Sequence, residues 1–98
     1  MPLNEKQKRY LRGLLHNRKP VVMIGGAGLT ENVMQEIENA LTYHELVKVK
    51  IVADDRPART AMIEQIVQQT RSELVQTIGH TASFYRQAEK PKITFPKS

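Results

Sequence analysis

The spacing of hydrophobic positions changes from one segment of the chain to the next and predicts three helices and four strands. Helical spacing of three and four residues alternates with short apolar or alternating runs typical of strands. In chain order the segments are a helix at 4–17, a strand at 21–24, a helix at 31–43, a strand at 45–52, a helix at 55–70 and strands at 74–78 and 82–86. The order α-β-α-β-α-β-β favours a two-layer α/β domain, in which helices pack on a four-stranded mixed sheet.

Polar residues mark the predicted helix starts. Asn4 with Gln7 three residues later is an Asn variant of the capping box, and Thr30 precedes the second helix. An aspartate at 54 or 55, followed by Pro57, predicts a turn and the capped start of the third helix. These aspartates are therefore better explained as a cap than as acid/base catalysts.

A glycine-rich turn joins the first predicted strand to the second helix. Its residues are Gly25, Gly26, Ala27 and Gly28, with G-x-x-G spacing. A turn with so few side chains before a helix N-terminus presents backbone N–H groups that suit a phosphate. No Lys-Ser/Thr pair follows it, as a P-loop requires, and Glu31 occupies the last glycine position of a dinucleotide fingerprint. The remaining interpretations are the G-x-x-G turn of single-strand RNA binders and a turn that only makes a tight corner.

The excess positive charge lies in the first segment of the chain. The net charge is +5, residues 1–19 hold six basic residues against Glu5, and the other 79 residues hold nine basic and nine acidic residues. A local basic face indicates binding to a polyanion, although a solvated helix face is the alternative. The basic residues of this segment are Lys6, Lys8, Arg9, Arg12, Arg18 and Lys19.

Composition narrows the functional classes further. The chain has 98 residues and no cysteine, which indicates one domain in a reducing cytoplasm, and no run is long enough to cross a membrane. Three scattered histidines favour no metal site, and no catalytic constellation is found. The five aromatic residues do not form the stacking platform of an RRM; of these, Tyr10 beside the basic residues is the best candidate for a base contact.

The chain resembles the CRM domain, and especially the bacterial stand-alone YhbY-like proteins. The resemblance is carried by the glycine turn with Leu29 and Thr30, followed by Glu-Leu-Val-Lys-Val-Lys at 45–50. The resemblance runs from about Leu3 to Arg86. It implies a fold like the C-terminal domain of translation initiation factor three with a KH-like loop, and association with precursors of the large ribosomal subunit. Many relatives have a basic residue between the two glycines, but this chain has none, so cations must come from Lys48, Lys50 and the first helix.

We therefore expect an RNA-binding domain over residues 1–87 and a basic, proline-containing tail over 88–98 that touches the body through Ile93 and Phe95. The expected partners are ribosomal RNA and pre-large-subunit particles, with no enzymatic activity, metal, cofactor, membrane or small-molecule substrate. The alternative is a protein-interaction adaptor whose basic helix docks on an acidic partner. The predicted RNA contacts are Gly25, Gly26, Ala27, Gly28, Thr30, Lys48 and Lys50, together with Lys6, Lys8, Arg9, Arg12, Arg18 and Lys19.

Overall fold

A computed structural model of the protein describes residues 2–96 and contains the expected elements in the expected order. Their bounds are α1 Glu5–Leu15, β1 Val22–Ile24, α2 Glu31–His44, β2 Leu46–Ile51, α3 Arg56–Thr70, β3 Glu73–Ile78 and β4 Thr81–Tyr85. The predicted mixed α/β class, with a four-stranded mixed sheet and three helices, is confirmed. None of the helices in residues 2–96 is long and apolar enough to cross a membrane.

The predicted helix caps are present. The Asn4 side chain accepts a hydrogen bond from the Gln7 N–H at 2.8 Å, and the Gln7 side chain accepts one from the Asn4 N–H at 3.0 Å. Thr30 caps α2 by accepting from the Val33 N–H at 3.2 Å, and Asp55 caps α3. These bonds satisfy N–H groups that a helix cannot satisfy internally.

The strands have the order β1-β2-β4-β3, with β1 parallel to β2 and the other pairs antiparallel. Because β1 and β2 are parallel, the glycine turn after β1 and the start of α3 after β2 lie at the same end of the sheet. The turn between β3 and β4 also reaches this end, where the Ile51 N–H donates to the His80 carbonyl. β1 and β3 are the two edge strands.

Helices α2 and α3 cover one face of the sheet. Val47, Val49 and Ile51 of β2 point to this face, while Lys48 and Lys50 point to the other, as the alternation predicts. The main core is formed by these three β2 residues and by Val22, Ile24, Ile37, Leu41, Ile63, Ile66, Ala82 and Phe84.

Helix α1 packs on the opposite face, so the sheet is covered on both sides at one of its ends. Leu11 and Leu15 of α1 form a second cluster with Leu46, Val75 and Tyr85. Leu46 lies on the same side of β2 as Lys48 and Lys50, and it pairs with Tyr85 of β4. These two apolar side chains at one end of the otherwise polar face place α1 there.

The segment after β4 packs against the second cluster through Ile93 and Phe95, which agrees with the contact expected for these residues. It is held by Glu45, whose buried carboxylate accepts hydrogen bonds from the N–H groups of Ala88, Lys92 and Ile93 at 2.7 to 2.8 Å. Phe95 also contacts the rings of Tyr10 and Tyr85. The segment thus crosses the surface beside α1 without regular secondary structure.

Candidate nucleic-acid interface

The glycine turn is closed by one backbone hydrogen bond, from the Gly28 N–H to the Gly25 carbonyl at 3.0 Å. Gly28 has a φ of 77°, a left-handed conformation that side chains disfavour. The Thr30 N–H then donates to the Gly28 carbonyl at 3.1 Å, which leads the chain into the cap of α2. The fold therefore needs a positive φ at position 28, which glycine adopts without strain.

The same requirement does not apply to Gly25 and Gly26. Neither has a positive φ, and a Cβ built on either would meet no atom within 4 Å. Gly26 and Ala27 are exposed, and within residues 2–96 their N–H groups have no hydrogen-bond acceptor. A tight corner therefore explains Gly28 but not the absence of side chains at 25 and 26, which leaves bare backbone open to a ligand.

Lys50 lies beside this turn. In the β1–β2 register it is opposite Met23, two residues before Gly25, and its side chain is exposed on the sheet face that α2 and α3 leave free. The first helical residue of α2, Glu31, is exposed on the other side of the turn and stabilises the positive end of the helix dipole. A phosphate bound at the turn would be attracted by Lys50 and repelled by Glu31.

Lys48 and Arg18 are also part of the fold. The Lys48 Nζ donates to the carbonyls of Leu15 at 2.9 Å and Arg18 at 3.0 Å, at the end of α1. The Arg18 guanidinium donates to the Leu46 carbonyl at 2.7 Å. Both side chains have further N–H groups besides those used in these bonds, because an ammonium has three donors and a guanidinium five. They are fixed cations that tie α1 to β2.

The basic residues of the first segment fall into two groups. The Leu3 N–H donates to the Glu73 carboxylate at 2.7 Å, so α1 begins beside β3, the edge strand farthest from β1. The helix crosses the sheet and ends beside β2. Arg18 and Lys19 therefore lie on the β1 side, while Lys6, Lys8 and Arg9 lie toward the β3 side, with Arg12 in the last turn of α1.

Tyr10 and Tyr43 differ in how much ring surface they offer. Tyr10, the candidate for a base contact, is half-buried, with its ring centroid 5.8 Å from that of Phe95. Tyr43, at the end of α2, is 69% exposed, and the Lys92 Nζ lies 4.6 Å from its ring centroid. No signal in the sequence indicates this pair, because 49 residues separate Tyr43 from Lys92 and only the folded tail brings them together.

The polar face contains one further unusual group. Ser83 of β4 lies between Lys48 and Gln76 in the strand registers, and its buried hydroxyl has no hydrogen-bond partner within residues 2–96.

No group of three or more His, Cys, Asp or Glu side chains within residues 2–96 is arranged to hold a metal ion.

The fold is an α/β domain with a mixed sheet, in which an exposed glycine turn joins the edge strand β1 to the capped helix α2. The N–H groups of Gly26 and Ala27 in this turn have no acceptor within residues 2–96, and lysines lie on the adjacent sheet face. The family model for the CRS1/YhbY (CRM) domain matches residues 3–86, and the chain belongs to this family. The resemblance noted from the glycine turn and the β2 sequence is thus confirmed.

Relatives are similar over nearly their full length. A Haemophilus influenzae protein named "RNA-binding protein" is 52% identical over 95 residues, 97% of this chain and 96% of its own. A Pseudomonas aeruginosa protein named "Probable RNA-binding protein" is 43% identical over 91 residues, 93% of this chain and 88% of its own. The solution structure of a hypothetical protein from Staphylococcus aureus is 38% identical and superposes with a TM-score of 0.82, covering 97% of this chain and 100% of that one.

Proposed function

We propose that the protein binds RNA through the glycine turn and the basic surface beside it, and that it acts on ribosomal RNA in precursors of the large ribosomal subunit in the bacterial cytoplasm. The observation that carries the proposal is the bare backbone at Gly25 and Gly26, which the fold does not require. The names of the relatives support RNA as the ligand. The ribosomal precursor is what the likeness to YhbY-like proteins implies.

In this proposal the exposed N–H groups of Gly26 and Ala27 donate to a backbone phosphate, and the positive end of α2 behind Thr30 adds to the attraction. Lys50 supplies a cation beside the turn, since no basic residue lies between the glycines. Glu31 opposes the phosphate. Binding at the turn is therefore modest by itself, and the surrounding cations supply much of the affinity.

The cations contribute binding free energy that does not depend on the RNA sequence. Each lysine or arginine that contacts a phosphate releases condensed counterions, so the affinity falls as salt rises. The proposal assigns such contacts to Lys48 and Lys50 on the sheet face and to the basic residues of the first segment. These are Lys6, Lys8, Arg9, Arg12, Arg18 and Lys19.

A substitution at Gly26 tests the turn. Gly26→Asp places a side chain and a negative charge on the exposed backbone without straining it, since Gly26 has no positive φ. We expect filter binding to large-subunit ribosomal RNA to weaken about tenfold or more, the value of one charge-assisted hydrogen bond. The matched control is Gln65→Glu, which changes the charge equally at an exposed position of α3. Equal affinity of the two variants would remove the turn from the mechanism.

The two groups of cations can be compared by their salt dependence. Charge reversal of Lys8 and Arg12 should lower the slope of log affinity against log salt by about one for each phosphate that the variant no longer binds. The same measurement on Lys19 and Lys50 tests the exposed lysines beside β1, with Lys19 before the start of this strand and Lys50 opposite Met23. An unchanged slope for either pair shows that its cations form only a solvated surface.

Sedimentation tests the ribosomal part of the proposal. Tagged protein in a bacterial lysate should move with particles near the large subunit in a sucrose gradient and should leave them after RNase treatment or at high salt. Protein that remains at the top of the gradient in every condition would contradict the ribosomal role. A complex with an acidic protein that survives nuclease treatment would favour the adaptor alternative.

A further inference from the structure

A basic groove with an exposed aromatic ring lies at the start of β1, at the other end of this edge strand from the glycine turn. Its volume is about 470 Å³, within the range of small-molecule sites. It is formed where the exit of α1, the end of α2 and the tail meet. The residues that matter are Arg18, Lys19, Tyr43, His44, Lys48 and Lys92.

Three of the four cations of this groove are held in position by backbone carbonyls, and the fourth is Lys19. Arg18 donates to the Leu46 carbonyl and Lys48 to those of Leu15 and Arg18. The Lys92 Nζ donates to the Tyr43 carbonyl at 2.7 Å, and the Lys92 N–H is bound by the Glu45 carboxylate. Less side-chain entropy is lost on binding when donors are already fixed, so these groups are prepared for an anion.

The charge of the groove is of one sign. Among the described residues that line it none is acidic, since the nearby Glu45 is buried below the surface and its carboxylate is occupied by the tail. Four cations with no opposing carboxylate attract a polyanion. The glycine turn, by contrast, has Glu31 beside it.

The exposed ring of Tyr43 adds an apolar surface to the groove, which phosphate binding alone does not need. Tyr43 is 69% exposed, with the Lys92 ammonium 4.6 Å from its ring centroid and the His44 ring edge-on at 5.3 Å. Nucleic-acid bases stack on such exposed rings, and neighbouring cations hold the backbone phosphates.

We propose that this groove binds an unpaired nucleotide of RNA, with its base stacked on Tyr43 and its phosphates contacted by Lys19, Arg18 and Lys92. The inference rests on the proposed function and extends it from backbone clamping to the recognition of an unpaired base. Val21, which precedes β1, also lines the groove, and about 13 Å of extended chain separates it from Gly25. One RNA strand that follows the β1 edge can therefore reach both the groove and the turn.

Because the sequence contains no tryptophan, a tryptophan introduced by substitution can report on base stacking at one chosen position. Tyr43→Trp introduces a single fluorophore that keeps an aromatic face in the groove, and Gln69→Trp places the same fluorophore at an exposed position of α3 as the control. Each variant is titrated with single-stranded oligouridylate and, separately, with inorganic polyphosphate, which has the charge but no bases. We expect oligouridylate, but not polyphosphate, to quench the fluorescence at position 43, with no quenching at position 69.

Affinities for oligouridylate complete the test. Tyr43→Ala should bind about 5-fold to 100-fold more weakly than the wild type, the range for loss of one stacked base, while Tyr43→Phe should bind nearly as well as the wild type. If the wild type binds RNA but Tyr43→Ala binds equally well, or if polyphosphate quenches as strongly as RNA, the inference is overturned and the proposed function stands. A wild type that binds neither oligouridylate nor ribosomal RNA refutes the proposed function itself.

Discussion

Replacement of Glu45 by glutamine should release the tail from the body of the protein. The Glu45 side chain is fully buried, and its two oxygens accept three backbone N–H groups: Oε1 from Lys92 and Ile93, and Oε2 from Ala88. Its backbone has a φ of 64°, unusual for a residue other than glycine. A buried acid with a positive φ thus stands at this position, and its carboxylate holds the tail.

The expected loss follows from the hydrogen bonds. A glutamine oxygen in the place of Oε1 can still accept from Lys92 and Ile93, but the amide NH₂ then faces the Ala88 N–H, and two donors cannot bond. One charge-assisted bond of about 1.5–3 kcal/mol disappears, and two others weaken to the value of neutral bonds, about 0.5–1.5 kcal/mol each. Opening of the tail should therefore become easier by about 3 kcal/mol or more, which corresponds to a population of the open state about a hundredfold larger.

Amide hydrogen exchange measures this opening. In Glu45→Gln the N–H groups of Ala88, Lys92 and Ile93 should exchange about a hundredfold faster than in the wild type, while the amides of β2 and β4 change less. Glu36→Gln is the control, because Glu36 lies exposed on α2 and the same charge is removed. Exchange in residues 88–93 that is equal in Glu45→Gln and the wild type would refute the reasoning.

Acid should release the tail in the same way. Burial raises the pKa of the Glu45 carboxyl, but the N–H groups of Ala88, Ile93 and Lys92 and the charge of Lys92 outweigh it, so the pKa lies below its usual value of 4.5. The stabilisation is therefore complete above about pH 4.5 and is lost as the pH falls through the pKa of the folded state. The exchange rate of the tail amides, corrected for the intrinsic rates, should rise in the wild type as the pH falls below about 4.5. In Glu45→Gln the corrected rate should not change with pH. A wild-type profile as flat as that of the variant would show that the carboxylate does not hold the tail.

Four substitutions test the local structure by urea denaturation. Gly28→Ala should destabilise the protein by about 1–2 kcal/mol because of the left-handed backbone, whereas Gly26→Ala should be close to neutral; equal losses would contradict the assignment of different roles to the two glycines. Thr30→Ala should cost about 1 kcal/mol through the lost cap of α2, and no loss would mean that the bond to the Val33 N–H contributes nothing. Ser83→Ala should be neutral or stabilising, since the buried hydroxyl has no partner in residues 2–96, and a clear loss of stability would reveal a partner for it.

The elements and their caps could be predicted because their signals are local. Each cap joins a side chain to a backbone N–H three residues away, as Thr30 does with Val33, so the sequence contains both partners within one turn. The alternation in β2 is equally local, and the buried positions Val47, Val49 and Ile51 follow from it. The glycine turn was visible for the same reason.

The position of α1 could not be predicted from such signals. Its apolar stripe of Leu11 and Leu15 shows that one side is buried but not which face of the sheet buries it. The answer depends on Leu46 and Tyr85, which lie on the polar side of their strands at one end. In a single strand each looks like an exception to the alternation, and only the pairing of β2 with β4 brings the two together.

The conformation of the tail depends on contacts between residues far apart in the chain. Glu45 binds N–H groups 43 to 48 residues away, and a backbone N–H has no signature in the sequence. The groove at Tyr43 could not be foreseen for the same reason, since Lys92 completes it. From the sequence alone, the candidate RNA contacts were predicted in a glycine turn and in a basic segment, and both remain predictions.

Lys48 and Arg18 are proposed RNA contacts that also hold α1 on β2, and this limits which residues can report on RNA binding. Both bind carbonyls where α1 meets β2, and Lys48 places its charge at the end of α1, where a cation also stabilises the helix dipole. A variant at either position therefore changes the packing of α1 and the charge of the groove together, and a loss of binding would have two explanations. Lys19 and Lys50 are exposed, and within residues 2–96 their ammonium groups make no hydrogen bond, so their variants change charge with little effect on the fold. The contribution of electrostatics to binding should accordingly be measured with variants of Lys19 and Lys50. Variants of Lys48 and Arg18 instead show how much the packing of α1 on β2 contributes to the shape of the groove.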